Sequence, residues 1–157
     1  MKNFKTEIKW AIIFALIGLL WMFFEKAMGW HGENIADHPK YTMLFMIPAI
    51  LVYVLALRDK KKNLGGQMTW KQGFISGLVI GGIVALLTPL TTYITHAFIT
   101  PDYFENAIAY GVETGKATEE EGKAFFNLTS YIIQGVIWAI GAGAITGAIV
   151  SLFVRSK

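Results

Sequence analysis

The sequence contains no cysteine, which excludes disulfides, thiolate catalysis and cysteine-ligated metals. It is also short of charge. Asp, Glu, Lys and Arg make up 16% of its 157 residues, against about 25% in a typical soluble domain. It has no phosphate-binding glycine loop, no Gly-x-Ser-x-Gly elbow and no His-Glu-x-x-His helix, so the common nucleotide, hydrolase and metalloprotease signatures are missing. A net charge of +3 raises the question of nucleic acid. The one basic run, Lys60-Lys61-Lys62, lies between two hydrophobic segments, where a juxtamembrane cluster is the better reading. No nucleic-acid partner and no cofactor are expected.

What the chain has instead is apolar length. Hydrophobic residues make up 54% and aromatics 14%, gathered into four runs at roughly 10–28, 41–57, 73–98 and 128–154. A spanning helix needs about 20 mostly apolar residues. The runs are too long for strands and lack alternation with a period of two. The fold expected is an all-α polytopic membrane protein, one membrane domain over 1–157 with four transmembrane helices. Lys2, Lys5 and Lys9 before the first run resemble a signal peptide, but Glu25-Lys26 stands where a small-residue cleavage site belongs, so this segment is read as a retained span. The two halves share an order of span, loop, span and basic exit, which common membrane constraints explain as well as an old duplication does.

Orientation follows from the basic residues. With the N-terminus, the loop from Arg58 to Gln72 and the C-terminus on one side, that side holds ten Lys and Arg against two acids; the other holds four against nine. The positive-inside rule then puts both termini in the cytoplasm. Trp10 and Trp70 on the inner side, and Trp30, Tyr41 and Tyr131 on the outer, suit interfacial belts.

The segment between the third and fourth spans is the sizeable extramembrane piece. Thr100-Pro101 reads as an N-cap with proline at N1. Tyr103, Phe104, Ala107, Ile108 and Val112 then share one helical face, and Gly115 ends the helix. Thr118 to Glu121 reads as a capping box opening a helix that runs on into the fourth span. This predicts a short amphipathic outer helix, either lying across the bundle mouth or merely linking two spans.

Small residues recur every fourth position: Gly73, Gly77, Gly81 and Ala85 in the third span, then Gly135, Ala139, Gly143, Gly147 and Ser151 in the fourth. That spacing keeps them on one face, where backbones approach closely. Either the two stripes meet within the chain, or one is a docking face for a second chain. Pro48 and Pro89 each remove a helical hydrogen bond, to the carbonyls of Leu44 and Ala85, and predict kinks.

At about 1.5 Å of rise per residue, Glu25, Thr42, Thr92, His96 and Gln134 all fall on the order of 10 Å outward of the bilayer centre. A carboxylate there is costly unless paired or wet. Glu25, Thr92, His96 and Gln134 form the candidate outer polar pocket. The simpler alternative is that span ends are polar because they meet the interface, with Lys26 snorkelling and Glu25 reaching water. The histidines, His31, His38 and His96, all lie on this side near Asp37 and Asp102, but the spacing from His31 to His38 matches no zinc motif. Neither a metal site nor catalytic residues are expected.

Glu7-Ile8-Lys9-Trp10, Ile47-Pro48-Ala49-Ile50 with Leu55-Ala56-Leu57-Arg58-Asp59-Lys60, Lys71-Gln72-Gly73-Phe74, and Ile99-Thr100-Pro101-Asp102-Tyr103-Phe104 together resemble the domain of unknown function 4199 family, small bacterial integral membrane proteins. The resemblance covers nearly the whole chain and implies a location in the bacterial cytoplasmic (inner) membrane. It carries no catalytic residues over. The function expected is that of a non-enzymatic membrane component working in the lipid bilayer with a membrane-protein partner or as a homo-oligomer. The alternatives are a small carrier or channel with an outward-facing polar site, or a membrane enzyme on a lipid-linked substrate. The absence of charge in the middle of each span weighs against ion-coupled transport.

Overall fold

Hydrocarbon offers no water to the backbone, so an apolar run must satisfy its amides within itself, and helices result. The structure, a computed structural model, describes residues 3–156. Lys2 and Lys157, two of the basic residues counted above, lie outside the described residues. The chain forms α1 (Lys5–Ala27), α2 (His38–Tyr41), α3 (Met46–Asn63), α4 (Trp70–Ile94), α5 (Tyr103–Glu113), α6 (Glu119–Phe125) and α7 (Leu128–Val154), with no strand among the described residues. Four segments are long and apolar enough to cross a bilayer: Lys5–Ala27, Ile35–Asn63, Trp70–Ile99 and Leu128–Val154. Their outward faces carry large apolar side chains such as Leu86, Trp138 and Phe153, more than 70% exposed. Lipid, not water, is the medium that suits such surfaces.

The start of α1 and the residues after α7 lie at one end of the bundle, beside the loop between α3 and α4. The Asn63 side chain donates to Thr6 Oγ1 at 2.9 Å, and the Ser156 amide donates to the Met68 carbonyl at 2.8 Å. We call this the terminal end. Gly65 and Gly66 turn the chain there with φ of 79° and 85°, values at home in glycine. Thr69 and Gln72 then form a reciprocal capping box that starts α4.

The centre is the contact between α4 and α7. A Cβ built on Gly73 would stand 2.5 Å from Ser151 Oγ, one on Gly81 3.0 Å from the Gly143 Cα, and one on Gly135 2.7 Å from Thr88 Cγ2. These helices therefore touch backbone to backbone along an antiparallel register. Tyr53 of α3 fills the notch beside them, 2.9 Å from a Cβ placed on Gly143, and Ala11, Ala56, Leu57 and Ile80 complete a buried cluster.

The structure departs from the sequence-based expectation at the element ends. Pro48 stands in the first turn of α3, where its missing amide has no helical partner to lose. The break ahead of α3 is instead a series of short helical turns from Ile35 to Phe45. Pro89 does lie inside α4, beyond which the chain widens into a π turn at Thr95–Ile99. Thr100 closes that turn, its amide donating to the Thr95 carbonyl at 2.8 Å, so α5 begins at Tyr103 and not at Pro101. The capping box of α6 forms as read. However, α6 stops at Phe125, and Asn127, in extended backbone, caps α7 afresh by accepting from the Ser130 amide at 2.9 Å. A free polar side chain able to cap a new helix outcompetes continuation there.

Candidate functional site

The end of α1 builds the site. Gly29 takes φ of 76°, its amide donates to the Lys26 carbonyl at 2.9 Å, and the Trp30 amide donates to the Glu25 carbonyl at 3.1 Å. This is the paired termination in which a left-handed glycine reverses the chain. The accompanying apolar contact is Trp30 edge-on to Phe24, centroids 5.5 Å apart. The reversal carries His31 back onto the side chain of the residue whose carbonyl anchors the turn. Trp30 also stacks on Tyr41 at 4.7 Å, holding the α2 turn and its first residue, His38, over the same spot.

Glu25 is wholly buried. Trp21 Nε1, one turn earlier, donates to its Oε1 at 2.6 Å. Its Oε2 faces two imidazoles, His31 Nε2 at 2.9 Å and His38 Nε2 at 3.3 Å. A buried carboxylate is tolerated only when its oxygens are occupied in this way. The alternative in which Glu25 reaches water does not fit a side chain with no exposure.

α5 lies across this end of the bundle, and Tyr103 is the residue that matters. Its ring packs against all three histidines, with centroids 5.1 Å from His31, 5.3 Å from His38 and 5.7 Å from His96. Its hydroxyl lies 3.4 Å from His38 Nδ1 and 3.0 Å from the Tyr131 hydroxyl of α7. Burial, with the negative Glu25 nearby, raises the Tyr103 pKa, against the opposing bond from Tyr131, so the phenol stays protonated. Asn106, one turn along α5, donates to the His31 carbonyl at 2.9 Å. α5 is clamped to α6 where Gly122 leaves room for Ile108.

Of the four pocket residues read from the sequence, two belong to this neighbourhood. His96 stacks on Phe104 at 4.1 Å and touches the Glu25 group through Tyr103, its buried Nδ1 without a partner. Thr92 and Gln134 are half-buried, and no hydrogen bond among the described residues joins them to Glu25. Depth alone had grouped them; direction around the helix separates them. The carboxylate beside the histidines is Glu25, while Asp37 and Asp102 are exposed. Glu25 partners residues 6 and 13 positions onward, across a loop with no periodicity to betray the contact.

A second buried carboxylate lies at the terminal end, where sequence reasoning had only counted charge. Glu7 is 1% exposed; its Oε1 accepts from Ser76 Oγ at 2.7 Å and from Lys60 Nζ at 2.8 Å, while its Oε2 is buried without a partner. Beside it Lys9 pairs with Asp59, which also accepts from Trp10 Nε1 at 2.8 Å. This second group braces α1, α3 and α4.

Chemically, the Glu25 centre offers one anionic oxygen and two imidazole nitrogens aimed at a common point, and an adjacent phenol. Among the described residues no serine, threonine or lysine side chain is hydrogen-bonded to a histidine. No curated protein and no solved structure matches the chain. Residues 9–156 match the family described as "Protein of unknown function (DUF4199)", and with nearly its whole length covered the chain belongs to that family.

Proposed function

We propose that the chain is a non-enzymatic component of the bacterial cytoplasmic membrane, both termini in the cytoplasm, whose working part is the polar centre around the buried Glu25 on the outer side. The carrying observation is that a carboxylate with no exposure is served by Trp21, His31 and His38 from α1, the loop after it and α2. Structural packing alone is met more cheaply by an apolar side chain. The excess of Lys and Arg at the terminal end supports the orientation.

The carrier reading draws less support. The backbone contact of Gly77 and Gly81 with Gly147 and Gly143 fills the middle of the bundle, where a substrate path would run. An enzyme on a lipid-linked substrate would need reacting groups that a substrate can touch, and Glu25 is enclosed. Association with another membrane chain drew part of its support from the alternative in which one of the two glycine stripes is a docking face. With those stripes turned on each other, the polar centre becomes the stronger part of the reading.

The test is complementation of a strain lacking the chain, read as competitive growth with membrane abundance followed by immunoblot. Wild type and Glu113→Gln are expected to restore growth, and Glu25→Gln is not. Full restoration by Glu25→Gln would mean that the centre only shapes the fold, and the reading would fall.

A further inference from the structure

We propose that Glu25, His31 and His38 form a binding site for a single divalent transition-metal ion, with zinc the best chemical match. The inference rests on the reading of the Glu25 centre as the working part and names its ligand.

Geometry carries the argument. The three donor atoms lie within 4.8 Å of one another. Zinc bonds of about 2.0–2.2 Å to nitrogen and oxygen put tetrahedral ligand atoms about 3.3–3.6 Å apart. Glu25 Oε2 already stands 3.3 Å from His38 Nε2 and 2.9 Å from His31 Nε2. Opening the second pair by a few tenths of an ångström brings both carboxylate–imidazole pairs into that range, and the two imidazole donors lie within 4.8 Å of each other.

The surroundings have what a metal site needs beyond its ligands. An imidazole that ligates through Nε2 is oriented by a hydrogen bond at Nδ1, and Tyr103 supplies that group to His38. Trp21 fixes Oε1 of the carboxylate and leaves Oε2 to the ion. Asn106 and the Gly29 reversal pin the backbone of His31. His38 is one-fifth exposed at the end of the bundle, which gives an ion a way in.

The unloaded centre crowds two imidazoles onto one carboxylate oxygen, so each turns an Nε2–H toward Oε2. An ion on that oxygen accepts both Nε2 lone pairs instead, and each ring then carries its proton on Nδ1, where the Tyr103 hydroxyl stands beside that of His38. Two imidazoles and one carboxylate, with no thiolate in the chain, suit zinc and its divalent neighbours and disfavour copper(I). They offer too few oxygens for calcium or magnesium.

The test uses the full-length protein in mild detergent, stripped with chelator and titrated with zinc, with bound metal counted by mass spectrometry and thermal unfolding followed in parallel. One zinc per chain is expected, with an unfolding temperature that rises with zinc concentration as for any ligand of the folded state. His38→Ala should weaken binding at least about tenfold, while His96→Ala, which removes a neighbouring histidine outside the set, should keep it. Folded, stripped wild-type protein that takes up no zinc and gains no thermal stability would overturn the site. So would uptake that His38→Ala leaves unchanged. The wild-type stability measurement decides the matter even if His38→Ala does not fold. Loss of complementation by Glu25→Gln without zinc uptake would sink the metal and leave the proposed function standing.

Discussion

A Cβ placed on Gly77 would lie 2.6 Å from the Gly147 Cα, so α4 and α7 meet there with no side chain between them. The obstruction is backbone, which cannot rotate away. Gly77→Ala should therefore force the helices apart at a cost of about 1–3 kcal/mol. Gly82, one position past the stripe, has nothing within 4 Å of its added Cβ, and Gly82→Ala should be neutral or stabilise by up to about 1 kcal/mol through helix propensity. Unfolding of the two variants in detergent by denaturant gives the comparison. Equal damage from both would show that the contact does not hold the bundle.

Trp21 and Glu25 sit one turn apart on α1, and the indole N–H is the donor given to Oε1. Trp21→Phe keeps the aromatic bulk and withdraws that donor from a fully buried carboxylate. It should cost about 1–3 kcal/mol, the penalty of leaving a buried polar group unsatisfied. Glu25→Ala in the Trp21→Phe background should then cost less than Glu25→Ala alone, because the stranded donor is gone. Thermal melts of the four proteins form the cycle, and strict additivity would rule out the coupling.

The parts of this fold that were legible in the sequence are those set by the solvent. Some 20 apolar residues in a row force a helix, and glycines four apart mark a close approach. What escaped was set by direction and by loops. Thr92 was grouped with Glu25 by depth, though no bond joins them. His31 and His38 are brought to Glu25 by one left-handed residue, Gly29, and a reversal of that kind leaves no periodic trace. Glu7 enters the sequence reading only as one of the two acids on the basic side; its burial depends on Ser76 and Lys60, far along the chain. The start of α6 was readable because Thr118 and Glu121 carry their own local logic, whereas its end turned on Asn127 competing for the next helix.

That local logic at α6 depends on pH. Glu121 Oε2 accepts the Thr118 amide at 2.8 Å, and the Thr118 hydroxyl accepts from the Glu121 amide at 3.2 Å. The Thr118 amide, and after it the Thr118 hydroxyl beside the carboxylate, hold the exposed Glu121 carboxyl below its ordinary pKa. A lowered folded-state pKa means the contribution is present above the unfolded value of about 4.3 and fades as pH falls through the folded one. The first turn of α6 should therefore fray in acid while the spans persist. Protection of the Thr118 and Glu121 amides, measured against the intrinsic exchange rate at each pH, should fall below about pH 4, and Glu121→Gln should remove that fall. Protection that stays constant with pH in the wild type would contradict the assignment.

At the terminal end the pairing of Glu7 with Lys60 is the part of the brace that removal of one partner should damage most. Lys60→Met leaves a buried carboxylate with Ser76 as its remaining donor, and its other oxygen is already without a partner. Breaking a buried pair from one side costs about 3–5 kcal/mol, whereas replacing both partners by apolar groups of similar size is often close to neutral. Lys60→Met should thus destabilise strongly, and Glu7→Leu/Lys60→Met should recover most of the loss. Lys123→Met is the control, because Lys123 and Glu119 pair in exposed positions, where an ion pair contributes little. If the double variant proves as unstable as Lys60→Met, the pair is holding α1, α3 and α4 in register through shape and not through charge. The neighbouring Lys9 and Asp59 pair then becomes the place to look for the electrostatic brace.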